Sequence, residues 1–319
     1  VSFSSGGLFA TISSISTVPF IQLKKGGIKM PIERVYKGNS ISEVVEILGQ
    51  YEKDAKLIAG GTDIIIDIRN EKIKPKVLID ISSIEELRKI EENEDYIEIG
   101  GAVTFTQIVE SEIFTNNLYG LNKASRLVGS PQIRNKGTIG GNIANGSAAA
   151  DSVPPLICLD STLIIESING IREIKLEDYY KDHIKIRENE LITKIRFKKP
   201  KENQILSFSK LGLRKALSIS RLTISILLEL DEEEKIKNIK VSSGALARYP
   251  MRELEVEEFF LGKTLDEENI NAGIIVLQKS MDKRLEGRPT LPYKRVAVER
   301  MLREALYQGA NFLNKAVEV

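Results

Sequence analysis

The chain has 319 residues, enough for two or three domains each with its own core, and its 46 Lys+Arg against 45 Asp+Glu leave a formal charge of +1. Basic and acidic residues are interleaved, so no nucleic-acid footprint is present and a small-molecule site is expected. One cysteine, Cys158, excludes an internal disulfide, and one histidine, His183, leaves too few soft ligands for a zinc or iron–sulfur centre made by this chain alone.

Residues 1–29 are rich in Ser, Gly and Ile and have no Lys or Arg before Lys24, so they lack the basic start of a secretory signal. Their longest apolar run is too short to span a bilayer, and no membrane insertion is expected. Lys24-Lys25-Gly26-Gly27-Ile28-Lys29-Met30 can be encoded by a ribosome-binding sequence ahead of a start codon. The expectation is that 1–29 is translated leader and that the native start is Met30.

Ser40-Ile41-Ser42-Glu43 has the form of a capping box, and Ile41, Val44, Val45 and Leu48 follow at helical spacing, which predicts a helix over 41–52. A strand over 56–59, a Gly turn at Ala59-Gly60-Gly61-Thr62-Asp63, a strand over 77–81 and a short helix capped by Ser83 complete a small α/β unit. A second unit opens with a strand over 97–99. Thr104-Phe105-Thr106-Gln107 is another capping box, for a helix to about Glu110, and a further helix through Ala124 and Leu127 leads to Gly129.

The stretch 129–152 contains five Gly, three Asn and almost no large side chain. It reads as a long loop that cannot build a core and instead brings backbone close to a ligand. Gly-Gly and Asn-Gly pairs tolerate positive φ, which lets successive N–H groups converge on an anion, and two such loops, 59–63 and 129–152, suit a diphosphate. The bland alternative is a pair of turns with no ligand. No G-x-G-x-x-G is present, and Gly262-Lys263-Thr264 lacks the earlier Gly of a G-x-x-x-x-G-K-T loop.

Cys158 lies in the apolar run 156–159 and is expected to be a buried, inert thiol in a cytoplasmic protein. No G-x-S-x-G elbow of a serine hydrolase appears, and with so few soft metal ligands any redox chemistry must come from a bound organic cofactor. Strands over 162–166, 172–176 and 191–197 complete the second unit, and Pro200 with a charged cluster marks a boundary. Beyond it, strands over 206–211, 222–230 and 236–245 and helices near 267–282 and 294–315 form a C-terminal unit of antiparallel sheet plus helices. The expected domains are 1–29 (extension), 30–200 (subdomains about 30–85 and 86–200) and 201–319, of α+β class.

Ala59-Gly60-Gly61-Thr62-Asp63, Gly-Ser-Pro-Gln-Ile-Arg-Asn at 129–135, Gly-Thr-Ile-Gly-Gly-Asn at 137–142, and Asp151 together resemble the FAD-binding (medium) subunit of molybdenum hydroxylases. That family includes xanthine, nicotinate and carbon monoxide dehydrogenases, and the similarity of order and spacing covers about 30–310. The resemblance implies a two-part FAD-binding fold of the vanillyl-alcohol oxidase type on 30–200, followed by the C-terminal domain of the flavoprotein subunit. It implies that backbone groups of Leu57, Ile58, Ala59, Gly60, Gly61, Thr62, Asp63 and Ile64, and of Thr138, Ile139, Gly140, Gly141 and Asn142, wrap the FAD diphosphate and ribityl chain. It further implies that Gly129 lies against the cofactor, Asp151 hydrogen-bonds it, Ile192 packs on it and Lys210 reaches the flavin. Without the resemblance, Ile192 reads as an ordinary strand residue and Lys210 as a solvent-facing one.

The activity implied is electron relay. Electrons from a molybdopterin-binding subunit pass through 2Fe–2S clusters on an iron–sulfur subunit to FAD here, and then to NAD or another acceptor. Asn145-Gly146 and Asp151-Ser152 lean toward the purine (xanthine) branch. A nicotinate or carbon monoxide dehydrogenase-like subunit, a stand-alone flavin oxidase and a scaffold with unoccupied Gly loops stay open as alternatives.

Overall fold

The computed structural model describes residues 17–18, 32–181, 186–214 and 218–313. Three sheets follow one another along the chain. In the first, β1 (Thr17–Val18), β2 (Arg34–Lys37), β4 (Val77–Asp80) and β3 (Ala55–Ile58) lie side by side in that order, with helix α1 (Ile41–Tyr51) and helix α2 (Ile64–Arg69) in the crossovers. β2 and β3 both run parallel to β4, whereas β1 runs antiparallel to β2, with Thr17 opposite Tyr36 and Val18 opposite Val35. Thr17 and Val18 lie within 1–29, expected from the sequence to be leader, and pair with this sheet.

Ser40 caps α1 as the sequence indicates, its hydroxyl accepting the Glu43 amide at 3.2 Å. The reciprocal half of the box is displaced by one residue, since the Glu43 carboxylate takes the Asn39 amide at 2.8 Å. Val44, Val45, Ile47 and Leu48 form the buried face of this helix, which covers Val77 and Ile79. The helix expected after Ser83 is a single 3₁₀ turn at Glu86–Arg88 with no side-chain cap.

The second sheet is antiparallel, in the order β5 (Ile90–Glu92), β6 (Tyr96–Gly100), β9 (Glu190–Lys198), β7 (Thr162–Ser167), β8 (Gly170–Lys175). Its inner face carries Ile97, Ile99, Leu163, Ile165, Ile195 and Phe197 into the largest apolar cluster. Helix α3 (Phe105–Glu110) opens with a complete capping box between Thr104 and Gln107, and α4 (Tyr119–Arg126) follows it.

Residues 129–152 are not the loop expected from their composition. They contain α5 (Pro131–Arg134) and α6 (Ile139–Asn145), and Ile139, Ile143 and Ala150 enter the largest apolar cluster. The reason is steric: a Cβ on Gly140 would lie 2.5 Å from the Gly101 carbonyl oxygen, so the first turn of α6 rests on bare backbone. Signals for both helices were present. Ser130 with Pro131 at the first helical position begins α5, Thr138 caps α6, and Gly146 in the left-handed region (φ +68°) ends it. The Asn145-Gly146 pair is therefore a helix terminus.

Helix α7 (Val153–Cys158) follows, and α8 (Leu176–Lys181) covers the far end of the sheet. The third sheet is antiparallel, β10 (Gln204–Gly212), β11 (Ser220–Leu230), β12 (Ile236–Gly244) and β13 (Met251–Arg252) in sequence order. It is backed by α9 (Leu254–Phe260), α10 (Glu267–Leu285) and α11 (Leu291–Leu313), which close a separate core around Phe260, Leu277 and Leu302. Leu206 and Leu227 cross from this sheet into the central cluster, joining the C-terminal domain to the middle one.

Cys158 is fully buried, with its sulfur 3.3 Å from the Ser225 carbonyl oxygen. Burial, only partly opposed by the nearby Arg252 guanidinium, pushes the thiol up to about 12. A disulfide exchange reagent is expected to leave the native protein unmodified and to titrate one thiol in denaturant; reaction at the native stage would show that α7 opens readily. His183 lies outside the described residues. No described helix is long and apolar enough to cross a membrane.

Candidate functional site

A cleft of about 400 Å³ opens between the first two sheets. One wall is the end of β3 and the turn after it; the other is the start of α6, the Gly101 corner and the beginning of β9. Of the residues singled out in the sequence, Leu57, Ala59, Gly60, Gly61, Thr62, Asp63, Ile64, Thr138, Gly140, Gly141, Asn142 and Ile192 line it.

The two Gly turns differ in what their backbones offer. Among the described residues, the amides of Gly60, Gly61, Thr62 and Asp63 have no acceptor in the chain. Gly61 takes φ +71°, the left-handed conformation that turns neighbouring N–H groups toward a common point. Gly60 packs so closely on the other turn that a Cβ there would overlap the Lys136 carbonyl oxygen.

At the start of α6 the amides are already used. Ile139 donates to the Val103 carbonyl at 2.9 Å, Gly140 to that of Gly101 at 3.0 Å, and Asn142 to that of Thr138 at 2.9 Å. Gly141 donates to the Thr138 hydroxyl at 3.2 Å. What this turn presents to the cleft is the open face of Gly141 and the Asn142 side chain. The Ser152 hydroxyl donates to Asn142 Oδ1 at 2.8 Å, which leaves the Nδ2 donor for a ligand. Apolar side chains of Leu48, Leu57 and Ile81 from the first unit and of Phe105, Val128, Leu191 and Ile192 from the second line the cleft and suit flat ring systems.

Five of the singled-out residues stand elsewhere. Ile58 packs against the Ile32, Ile68 and Leu78 cluster beneath the first sheet, and Ile139 is core. Gly129 (φ +46°) sits next to the lining residue Val128 without lining the cleft itself. Asp151 and Lys210 face each other: the ammonium reaches Asp151 Oδ2 at 2.6 Å and the Leu127 carbonyl at 2.8 Å, with side chains only 7–8% exposed. The Ser220 hydroxyl donates to Asp151 Oδ1. Burial pushes the Asp151 carboxyl up, and the Lys210 ammonium and Ser220 hydroxyl oppose that shift. Lys210 is thus neither solvent-facing nor in the cleft; it ties the β10–β11 hairpin to the segment entering Val128.

Sequence reading missed Gly101, Phe105, Val128, Ile133, Arg187 and Glu190, all of which line the cleft. Glu190 is clamped by Arg172, with two contacts of 2.8 Å, and accepts the Arg187 amide at 2.8 Å, which fixes the rim at the start of β9. Burial raises its pKa, but the Arg172 guanidinium and the Arg187 amide outweigh this and hold it below the usual carboxylate range. The Gly100-Gly101 pair at a strand end was the one local signal available. The others are brought to the cleft only by long-range packing.

Residues 30–200 match the family described as the FAD binding domain in molybdopterin dehydrogenase, and residues 207–308 match the CO dehydrogenase flavoprotein C-terminal domain. The chain is 34% identical to the nicotinate dehydrogenase FAD-subunit of Eubacterium barkeri, over 82% of this chain and 90% of that one. It is 31% identical to the putative xanthine dehydrogenase FAD-binding subunit XdhB of Escherichia coli, over 68% and 75% of the two chains. Its structure superposes on carbon monoxide dehydrogenase from Hydrogenophaga pseudoflava with a TM-score of 0.81 and 26% identity, covering 89% of this chain and 99% of that one. With a fold that agrees along nearly its whole length and a cleft of free amides and apolar walls between the first two sheets, this chain belongs to the FAD-binding medium subunits of the molybdenum hydroxylases.

Proposed function

We propose that the cleft holds FAD and that the chain relays electrons from an iron–sulfur subunit, fed by a molybdopterin-binding subunit, to NAD or another acceptor. The observation that carries the reading is the run of amides over 60–63 without an acceptor among the described residues, which fits a diphosphate. In this reading Gly60, Gly61, Thr62 and Asp63 donate to the phosphates, and Asn142 Nδ2 adds a side-chain donor from across the cleft. Leu57, Ile192 and Val128 exclude water from the ring systems, and the Lys210–Leu127 contact holds Val128 in place. When bound, the flavin supplies the redox chemistry.

The hydroxylated substrate is expected to be a nitrogen heterocycle such as a purine or a pyridine carboxylate. The sequence marks that leaned toward purines do not separate the two: Gly146 ends a helix and Asp151 pairs with Lys210, so both have structural duties in this chain. A stand-alone flavin oxidase is the competing reading. An anaerobic assay separates them. Xanthine and nicotinate should leave the flavin of the isolated, FAD-loaded chain oxidised and bleach it only after iron–sulfur and molybdopterin subunits are added; bleaching of the isolated chain would defeat the relay.

A further inference from the structure

On the outer face of the second sheet, away from the cleft, a groove of about 770 Å³ runs along the junction with the C-terminal domain. Its lining carries six cations, Lys175, Arg196, Lys198, Lys199, Lys201 and Lys240, against three carboxylates, Glu98, Asp160 and Glu173. The carboxylates are already engaged: Glu98 and Glu173 with Arg196, and Asp160 with Lys240 and Arg252. Lys199 pairs with Glu92 at 2.8 Å and the Lys201 ammonium acts on the nearby Glu229 carboxylate, whereas Lys175 and Lys198 have no carboxylate partner among the described residues. Lys175 donates to the Asp160 carbonyl at 3.0 Å, and Lys198 lies 6.0 Å from the centre of the Tyr96 ring.

We propose that this groove binds an acidic, extended segment of a protein partner, most simply one of the subunits that the relay reading requires. Arg196 and Lys198 are two residues apart on β9 and so project from the same face about 7 Å apart, the spacing of alternate side chains on an extended peptide. Tyr96, opposite Lys198 in the sheet, gives the floor an apolar surface beneath the peptide's side-chain stems. No glycine turn lines the groove, so it lacks the convergent amides that favour a compact phosphate. The Lys-Lys-Pro-Lys run at 198–201, which marked the domain boundary in the sequence, is the rim of this groove.

Hexaglutamate titrated calorimetrically into the full-length, FAD-loaded chain at low salt should bind once per chain. Lys198→Glu with Lys201→Glu should weaken it by about tenfold or more, whereas Lys279→Glu with Lys283→Glu, an equal charge change on the exposed face of α10, should change it little. No binding, equal weakening by both pairs, or tighter binding of tripolyphosphate at the same residues would overturn the proposal. Flavin content, measured on every sample, reports separately on the FAD reading.

Discussion

Gly60→Asp is expected to yield a folded chain that purifies without flavin. A side chain at this position overlaps the Lys136 carbonyl oxygen and pushes apart the two turns that bracket the cleft. It also places a carboxylate among the amides of 60–63, which have no other acceptor among the described residues. Burying an unpaired charge there against a diphosphate costs several kcal/mol, about 2–3 orders of magnitude in affinity. Position 60 tests the amide turn directly, whereas a Cβ at 140 would meet the Gly101 backbone and act on the seat of α6, whose amides are already used within the chain. The flavin-to-protein ratio from the visible spectrum, read beside far-UV circular dichroism, checks the result. Full flavin retention would remove the amide turn from the binding site.

Lys210→Met should be the most destabilising single change outside the apolar cores. It leaves the Asp151 carboxylate buried with only the Ser220 hydroxyl, and removes the donor to the Leu127 carbonyl. Breaking one half of a buried ion pair costs about 3–5 kcal/mol, whereas replacing both halves is often nearly neutral. Asp151→Asn combined with Lys210→Met should therefore recover much of the lost stability, as read from denaturant midpoints. If the double variant is no more stable than Lys210→Met, the ammonium has a duty beyond this pair, and direct contact with the cofactor becomes the better account. Flavin affinity should fall in Lys210→Met as well, because Val128 follows directly on Leu127.

Local pattern was enough wherever an element carries its own signal. Thr104 and Gln107 announce α3, Val44, Val45 and Leu48 announce the buried face of α1, and the alternation in 222–230 announces β11, because caps and periodicity depend on neighbours a few residues away. The two Gly turns and their spacing likewise sufficed to identify the family. Composition misled at 129–152, where small residues were read as a loop although they serve as seats for backbone packing, and α2, α8 and α9 were missed.

The sequence by itself determined the order of the three units, the buried cysteine and the positions of the two Gly turns. Only the tertiary structure decided which turn has amides to give, since the acceptors that satisfy α6 come from Gly101 and Val103, more than thirty residues earlier in the chain. It alone paired Asp151 with Lys210 and placed Glu190 at the rim. A hydrogen bond or ion pair between distant segments leaves no periodic trace in either, because it depends on where two elements are packed and not on what surrounds each residue along the chain.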